Sequence, residues 1–348
     1  MARTTLRTGA ALLATGALVG GVAITASPAQ AVISYGRLGV GGSISSSGTP
    51  TSGTCAVSTA LPATVSKSWN DNGIAVANSQ TRKGALKWSG SATDITDVTT
   101  AGSGTVRATP LSTAGGTIAF SGSTSLSAKA RVANSKCRAY VSSSMNADGD
   151  FEVPVGMWLT ISGSASSTKG AGLQVNVYGY DDSNASVDTS LALGGSRVTG
   201  STSLYLPPGE YGYDVSLSAW RTTVASTTAA GSAVSASVSG STTWTFTPGG
   251  AASAISGKGG RYVALGGRSC TTNAVSAAVT KAARKKAKKV VIKVNGVTRV
   301  ALKGTRLKKA GGLTLGGISP TSNATVVATI TPKKGKKVSV ARSYRACR

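Results

Sequence analysis

Through much of the chain, apolar residues return at every second position in short runs broken by Gly, Ser, Thr and Pro, a period that predicts strands and not helices. Ile118 and Phe120, then Leu126, Ala128 and Ala130, keep this rhythm on either side of a Gly/Ser stretch that reads as a turn. Leu173, Val175 and Val177 mark a strand with Tyr178 and Tyr180 on its opposite side, and Tyr213, Val215, Leu217 and Ala219 mark another. Each such strand offers one face to a core and one to water, as in antiparallel sheets packed face to face. The expected fold class is all-β, with tandem antiparallel β-sandwich domains.

Composition shifts divide the chain. Residues 32–52, rich in Gly and Ser, read as a flexible lead-in. Residues 53–145 and 150–247 read as two β-sandwich domains, with Phe151 to Ser162 opening the second; merging 53–247 into one larger jelly-roll is the competing partition. A linker at 248–260 leads to a third domain, 261–348. Domains of about 80 to 100 residues bury modest cores and benefit from a covalent staple. Four cysteines allow three pairings. Joining Cys55 to Cys137 and Cys270 to Cys347 makes each bond bracket one module, for about 4 kcal/mol per closed loop in the chain-entropy model. No two cysteines are neighbours and the chain has no histidine, which favours disulfides over a metal site.

The decapeptide Leu206 to Val215 (LPPGEYGYDV) places a Pro/Gly turn before Tyr211, Tyr213 and Val215, which point to one side of a strand. It resembles the turn and strand of many bacterial immunoglobulin-like secreted β-sandwiches, where the first aromatic braces the turn. Val290 to Val300 (VVIKVNGVTRV) reads as a hairpin around Asn295-Gly296, with later strands at Ala324 to Ile330 and Lys337 to Ala341, a looser likeness to the same kind of domain. The resemblance implies a role in spacing, adhesion or binding and brings no catalytic residue with it.

Charge changes the picture most. Of a formal net +26, residues 251–348 contribute 22 Lys or Arg and no Asp or Glu, whereas residues 32–250 carry 13 basic and 11 acidic residues. The cations fall in three clusters: Lys281, Arg284, Lys285, Lys286, Lys288 and Lys289; Lys303, Arg306, Lys308 and Lys309; and Lys333, Lys334, Lys336 and Lys337. A strand near Ala274 to Thr280 followed by a basic turn at Lys281 to Lys289 is expected, with a short helix as the alternative. Such clusters attract repeated anions through a largely non-specific, salt-sensitive field.

The compartment selects the anion. Arg3 and Arg7 precede the apolar run Ala11 to Ile24, and Ala29-Gln30-Ala31 supplies small residues before a cut after Ala31. Residues 1–31 are therefore expected to be a cleaved secretory signal peptide, its apolar run being short for a span. In composition it resembles the leaders of high-GC Gram-positive bacteria. The expected location is secreted, extracellular or cell-wall associated, without a membrane-spanning segment. That makes an intracellular nucleic acid a poor partner and an anionic cell-wall polymer, or another extracellular polyanion, the expected one.

Chemistry is bounded by what is missing. Without histidine there is no Ser-His-Asp or Cys-His nucleophile and no histidine-ligated zinc, so no enzyme, cofactor or metal is expected. A carboxylate-based hydrolase would have to draw on Asp148, Asp150, Glu152, Asp181, Asp182, Asp188, Glu210 and Asp214, yet no spacing pairs two of them across a cleft. Asn146, Asp148, Asp150 and Glu152 resemble part of a calcium loop but lack the sixth-position Gly and twelfth-position Glu, having Phe151 and Met157 there. The main rival to polyanion binding is polysaccharide recognition by exposed tryptophans. Trp158 and Trp220 are out of phase with the apolar rows beside them, and Trp69 adjoins the turn-like Asn70-Asp71-Asn72-Gly73.

Overall fold

A computed structural model of the chain describes residues 33–46, 54–137, 139–181, 186–222, 230 and 233–348. The expected signal peptide lies outside them. Among the described residues, thirteen strands precede residue 249: β1 (Ile33–Ser46), β2 (Cys55–Thr59), β3 (Val65–Ser68), β4 (Val76–Trp88), β5 (Ile95–Ala108), β6 (Gly116–Ala130), β7 (Ala139–Val153), β8 (Met157–Ser167), β9 (Ala171–Asp181), β10 (Ser186–Gly194), β11 (Val198–Leu206), β12 (Gly209–Thr222) and β13 (Ala233–Pro248). After it come β14 (Val263–Ser269), β15 (Ala274–Val279), helix α1 (Lys281–Lys286), β16 (Ala287–Val294), β17 (Val297–Lys303), helix α2 (Gly304–Lys309), β18 (Gly312–Leu315), β19 (Ala324–Pro332) and β20 (Val338–Tyr344).

The first thirteen strands form two antiparallel sheets, a six-stranded one in the order β10-β9-β12-β7-β1-β3 and a seven-stranded one in the order β11-β8-β13-β6-β5-β4-β2. Both draw on both halves of the segment. The expected division into 53–145 and 150–247 is therefore corrected, since its boundary falls inside β7, which pairs β1 on one side and β12 on the other. The competing single sandwich matches this strand order. Two apolar clusters lie between the sheets: a larger one, in which Val40, Met145, Val175, Tyr213 and Leu217 face Val106, Phe120, Leu159, Val238 and Trp244, and a smaller one around Cys55 and Cys137 with Leu86, Val98, Leu126, Val141 and Ala219.

Two local expectations are corrected for the same reason. The Gly/Ser stretch between Phe120 and Leu126 is not a turn, because β6 runs unbroken through it. Gly122 pairs with Gly104 and Gly240 on its neighbours, and a Cβ at Gly122 would stand 3.2 Å from Leu217 Cδ1 of the facing sheet. The missing side chains admit side chains from across the core. Nor is the whole lead-in flexible: residues 33–46 are β1, paired with β7 from Ile33 to Ser46, while 47–53 lie outside the described residues.

The strands expected at Leu173 to Val177 and Tyr213 to Ala219 are present as β9 and β12, their alternate residues buried. The Tyr211 hydroxyl donates to the Pro207 carbonyl at 2.8 Å, bracing the turn as the resemblance implies. The disulfides are Cys55–Cys137 and Cys270–Cys347, the pairing expected from their spacing.

The C-terminal body has its own core, with Val275, Val290, Ile292, Val326, Ile330 and Val340 between a three-stranded sheet, β14-β15-β18, and a four-stranded one, β17-β16-β19-β20. Asn295 and Gly296 both have positive φ, 48° and 81°, and turn β16 into β17 as the type I′ signal requires. The expected linker is corrected: residues 252–259 lie along β20, with bridges Ala252 to Tyr344 and Ser256 to Ala341 and a bond from Gly259 N to Ser339 O. Those contacts leave it little freedom to act as a tether.

Leu217 is fully buried between the two sheets. Leu217→Ala is expected to lower the stability of the sandwich by about 2–5 kcal/mol. Urea unfolding should show that loss in one transition shared by residues 33–145 and 150–248; two separable transitions would point to two domains.

Candidate functional site

The three basic clusters are far apart in sequence and meet at one end of the C-terminal body. After β15, Thr280 caps α1, its hydroxyl accepting from Ala283 N, so a short helix forms where a basic turn is the leading expectation. Ala283 and Leu307 are the buried residues of α1 and α2, and the two helices pack side by side. Each helix therefore hides one small apolar face and turns its lysines outward, with Arg284, Lys285 and Lys286 in the last turn of α1 and Arg306, Lys308 and Lys309 in that of α2. Cations suit a helix C-terminus, where carbonyl oxygens concentrate negative potential.

Register brings in the rest. Lys289 stands opposite Lys303 across β16 and β17, and Ala287 opposite Pro332 across β16 and β19. Lys333 N donates to the Lys286 carbonyl at 2.7 Å, which ties the β19–β20 turn, with Lys334, Lys336 and Lys337, to the end of α1. Apart from the half-buried Arg284, every cation of the three clusters is exposed. None meets a carboxylate of its own body, because residues 251–348 contain no Asp or Glu. The two ion pairs among the described residues, Arg37–Asp148 and Arg131–Asp97, are both in the sandwich.

This tip faces away from the sandwich. β20 begins at the tip and runs for about 20 Å to Tyr344, beyond which the last residues reach the sandwich. There Trp158 Nε1 donates to the Ala346 carbonyl at 2.9 Å, and the Arg345 guanidinium lies 5.8 Å from the centre of the Trp158 ring.

The tryptophan expectations divide. Trp69 is 6% exposed and packs against Tyr213, so its expected exposure is corrected: the neighbouring polar turn is at the surface, but the ring points into the core, where Trp69 N donates to Gly36 O. Trp158 is covered by Arg345 and bonded to the C-terminal tail, so it too is corrected as a sugar platform. Trp220 is 50% exposed and stacks on Tyr140. Alternation predicts the outward position of Trp158 and Trp220 but is silent on what a second body lays over one of them.

The acids of β7 and β12, unlike Asp71, Asp94 and Asp97, are gathered by alternation on the outer face of the six-stranded sheet. Asn146, Asp148, Asp150 and Glu152 follow one another along β7, an extended arrangement that neither a calcium loop nor an interdomain turn would have. Asp214 and Asp148 are cross-strand partners, a pairing that linear spacing cannot reveal. Burial, and then the Asp148 carboxylate, push Asp214 above the ordinary range, while Arg37 is bonded to Asp148. The pair stands on an open sheet face, away from the large groove lined by Ser, Thr and Gly on the seven-stranded sheet. Asp182 lies outside the described residues, among which no three Asp, Glu or Cys side chains gather closely enough to hold a metal. A groove of about 960 Å³ crosses the seven-stranded sheet and is lined mainly by Ser, Thr and Gly, with Lys67 and Arg197 as its charged residues.

Comparison with known proteins gives no family model that matches and no curated protein that matches. Solved structures that match include the adhesin domain of Epf from Streptococcus pyogenes, at 9% identity over 63% of this chain and 77% of that one, with a TM-score of 0.21. The infectious bursal disease virus VP2 subviral particle matches at 11% identity over 90% of this chain and 65% of that one, with a TM-score of 0.22. Likeness at this level carries no argument, and the all-β architecture rests on the strand order itself. Among the described residues no helix is long and apolar enough to cross a membrane.

Crowding cations without counter-ions disfavours the folded body by self-repulsion, which salt screens. Raising ionic strength is therefore expected to stabilise the C-terminal body by on the order of 1 kcal/mol, read as a higher unfolding temperature in calorimetry. A fall with salt would mean that attractive ion pairs dominate instead.

Proposed function

We propose that this chain is a secreted, non-catalytic binding protein that attaches through the basic tip of its C-terminal body to an anionic polymer outside the cell, such as an acidic cell-wall polymer. One observation carries the reading: three clusters separated in sequence converge on a single end of the body, distal to the sandwich, with no Asp or Glu in that body to neutralise them. Solubility alone asks for charges spread over a surface, whereas a gathered, unneutralised tip concentrates a field on one approach direction.

Lysine outnumbers arginine in the clusters. Ammonium groups on flexible stems act as point charges and lack the fixed fork that recognises one planar anion bidentately. The tip thus reads charge density along a polymer, and its binding is steeply salt-dependent. The rival reading, sugar stacking on tryptophan, keeps only Trp220 of its three candidate rings.

The test compares the full chain with its Lys285→Ala, Lys286→Ala, Lys308→Ala, Lys309→Ala variant on immobilised inorganic polyphosphate and on purified cell wall, across a salt series. The variant is expected to bind more weakly, with a log–log salt slope smaller by about 0.7 per cation removed, roughly 3 in all. Identical slopes for the two proteins would overturn the assignment to the tip.

A further inference from the structure

We infer that the Cys270–Cys347 disulfide is a chemical latch on the joint between the two bodies: opening it by thiol–disulfide exchange releases the C-terminal body from the sandwich while both cores stay folded. The inference is independent of polymer binding, because it concerns the opposite end of the body.

Among the described residues, three hydrogen bonds cross the joint besides the turn bond from Ala251 N to the Pro248 carbonyl. Gly249 N donates to the Gly156 carbonyl at 3.0 Å, Trp158 Nε1 donates to the Ala346 carbonyl at 2.9 Å, and Arg345 Nη2 donates to Thr160 Oγ1 at 3.4 Å. Two of the three end on Arg345 and Ala346, immediately before Cys347. The third ends on Gly249, whose backbone lies against the other side of the same bond. A Cβ on Gly249 would stand 2.6 Å from the Cys347 carbonyl oxygen, and one on Gly250 would stand 2.8 Å from Cys270 Sγ. Gly250 N also donates to the Ala346 carbonyl at 3.1 Å. The two residues that lead out of the sandwich and the tail that docks back on it are thus both moulded around one disulfide.

The two disulfides differ in reach. Cys55 and Cys137 are both buried in the sandwich and Cys347 is buried as well, whereas Cys270 is exposed and offers its sulfur to an attacking thiol. Arg268, Arg345 and Arg348 lie within two residues of the half-cystines, in a body without Asp or Glu. A cationic setting draws an attacking thiolate and stabilises the thiolate that leaves. The co-reactant is a small dithiol. One of its thiolates attacks Cys270 Sγ, the S–S bond breaks, and Cys347 leaves as a thiolate and takes a proton. The second thiol then closes the reagent's own disulfide, leaving two protein thiols and an oxidised reagent. With the disulfide open, the tail is held to its own body only by hydrogen bonds, among them Arg345 N to the Ala251 carbonyl, Ala346 N to Asn323 Oδ1 and Cys347 N to the Pro320 carbonyl, each worth about 1 kcal/mol.

The experiment titrates the full chain with dithiothreitol, identifies alkylated cysteines by mass spectrometry, and records small-angle scattering and far-ultraviolet circular dichroism at each step. Cys270 and Cys347 are expected to react about tenfold or more faster than Cys55 and Cys137. At that stage the scattering curve should broaden toward longer distances while the β signal is kept. Trp158→Ala, with both disulfides intact, should broaden the curve in the same way. Equal reactivity of the two disulfides, an unchanged curve after selective opening, or loss of β signal together with opening would each overturn the latch.

Discussion

Close approach of two sheets across one apolar layer is the constraint on which the larger body depends. The approach is possible because Gly104, Gly122 and Gly240 stand in register on adjacent strands and leave space for Met145 and Leu217 from the facing sheet. Long strands then become useful: each of β5, β6, β7, β12 and β13 crosses the whole sandwich, and their alternation supplies both the larger apolar cluster and the smaller one around Cys55 and Cys137. The outer faces inherit the remaining residues, which is why acids and tyrosines appear on one sheet and serine and threonine rows on the other. Surface chemistry here follows from which strands neighbour one another.

The C-terminal body solves a different problem. Its core is aliphatic and small, so the cations have to be kept off it, and strand alternation alone would scatter them over two faces. Two one-turn helices and a tight turn instead collect them beyond the strand ends, where Ala283 and Leu307 supply just enough apolar contact to hold the lysine-bearing segments. Arg268 performs the reverse task near the joint. It is buried, and its guanidinium donates to the carbonyls of Ser319, Ser322 and Arg345, holding the β18–β19 loop and the C-terminal tail around one side chain.

Local physics was legible in the sequence. The Asn295-Gly296 hairpin, the turn braced by Tyr211 and the two inner rows of β9 and β12 depend on neighbouring residues and are read from them directly. The cysteine pairing followed from chain separation. What could not be read depended on partners distant in the chain. A glycine run looks alike in a turn and in a strand that must pass close to another sheet, so Gly122 misled. Trp69 sits beside a polar turn, yet its ring is placed by Tyr213, far along the chain. The basic clusters were visible as three runs, but their meeting at one tip is a matter of strand register, and the covering of Trp158 by Arg345 is a matter of how one body meets another.

The position of β13 carries a consequence for the life of the chain. It is the last strand of the sandwich to be synthesised, yet it lies inside the seven-stranded sheet between β8 and β6. β1, the first, finds its main partner only in β7, about a hundred residues later. Pairings of such long range form slowly, and the sheet stays open at its middle until residue 248 is available. A chain that stops short of residue 248 therefore lacks the strand that joins β8 to β6, and the seven-stranded sheet is in two pieces until that strand arrives.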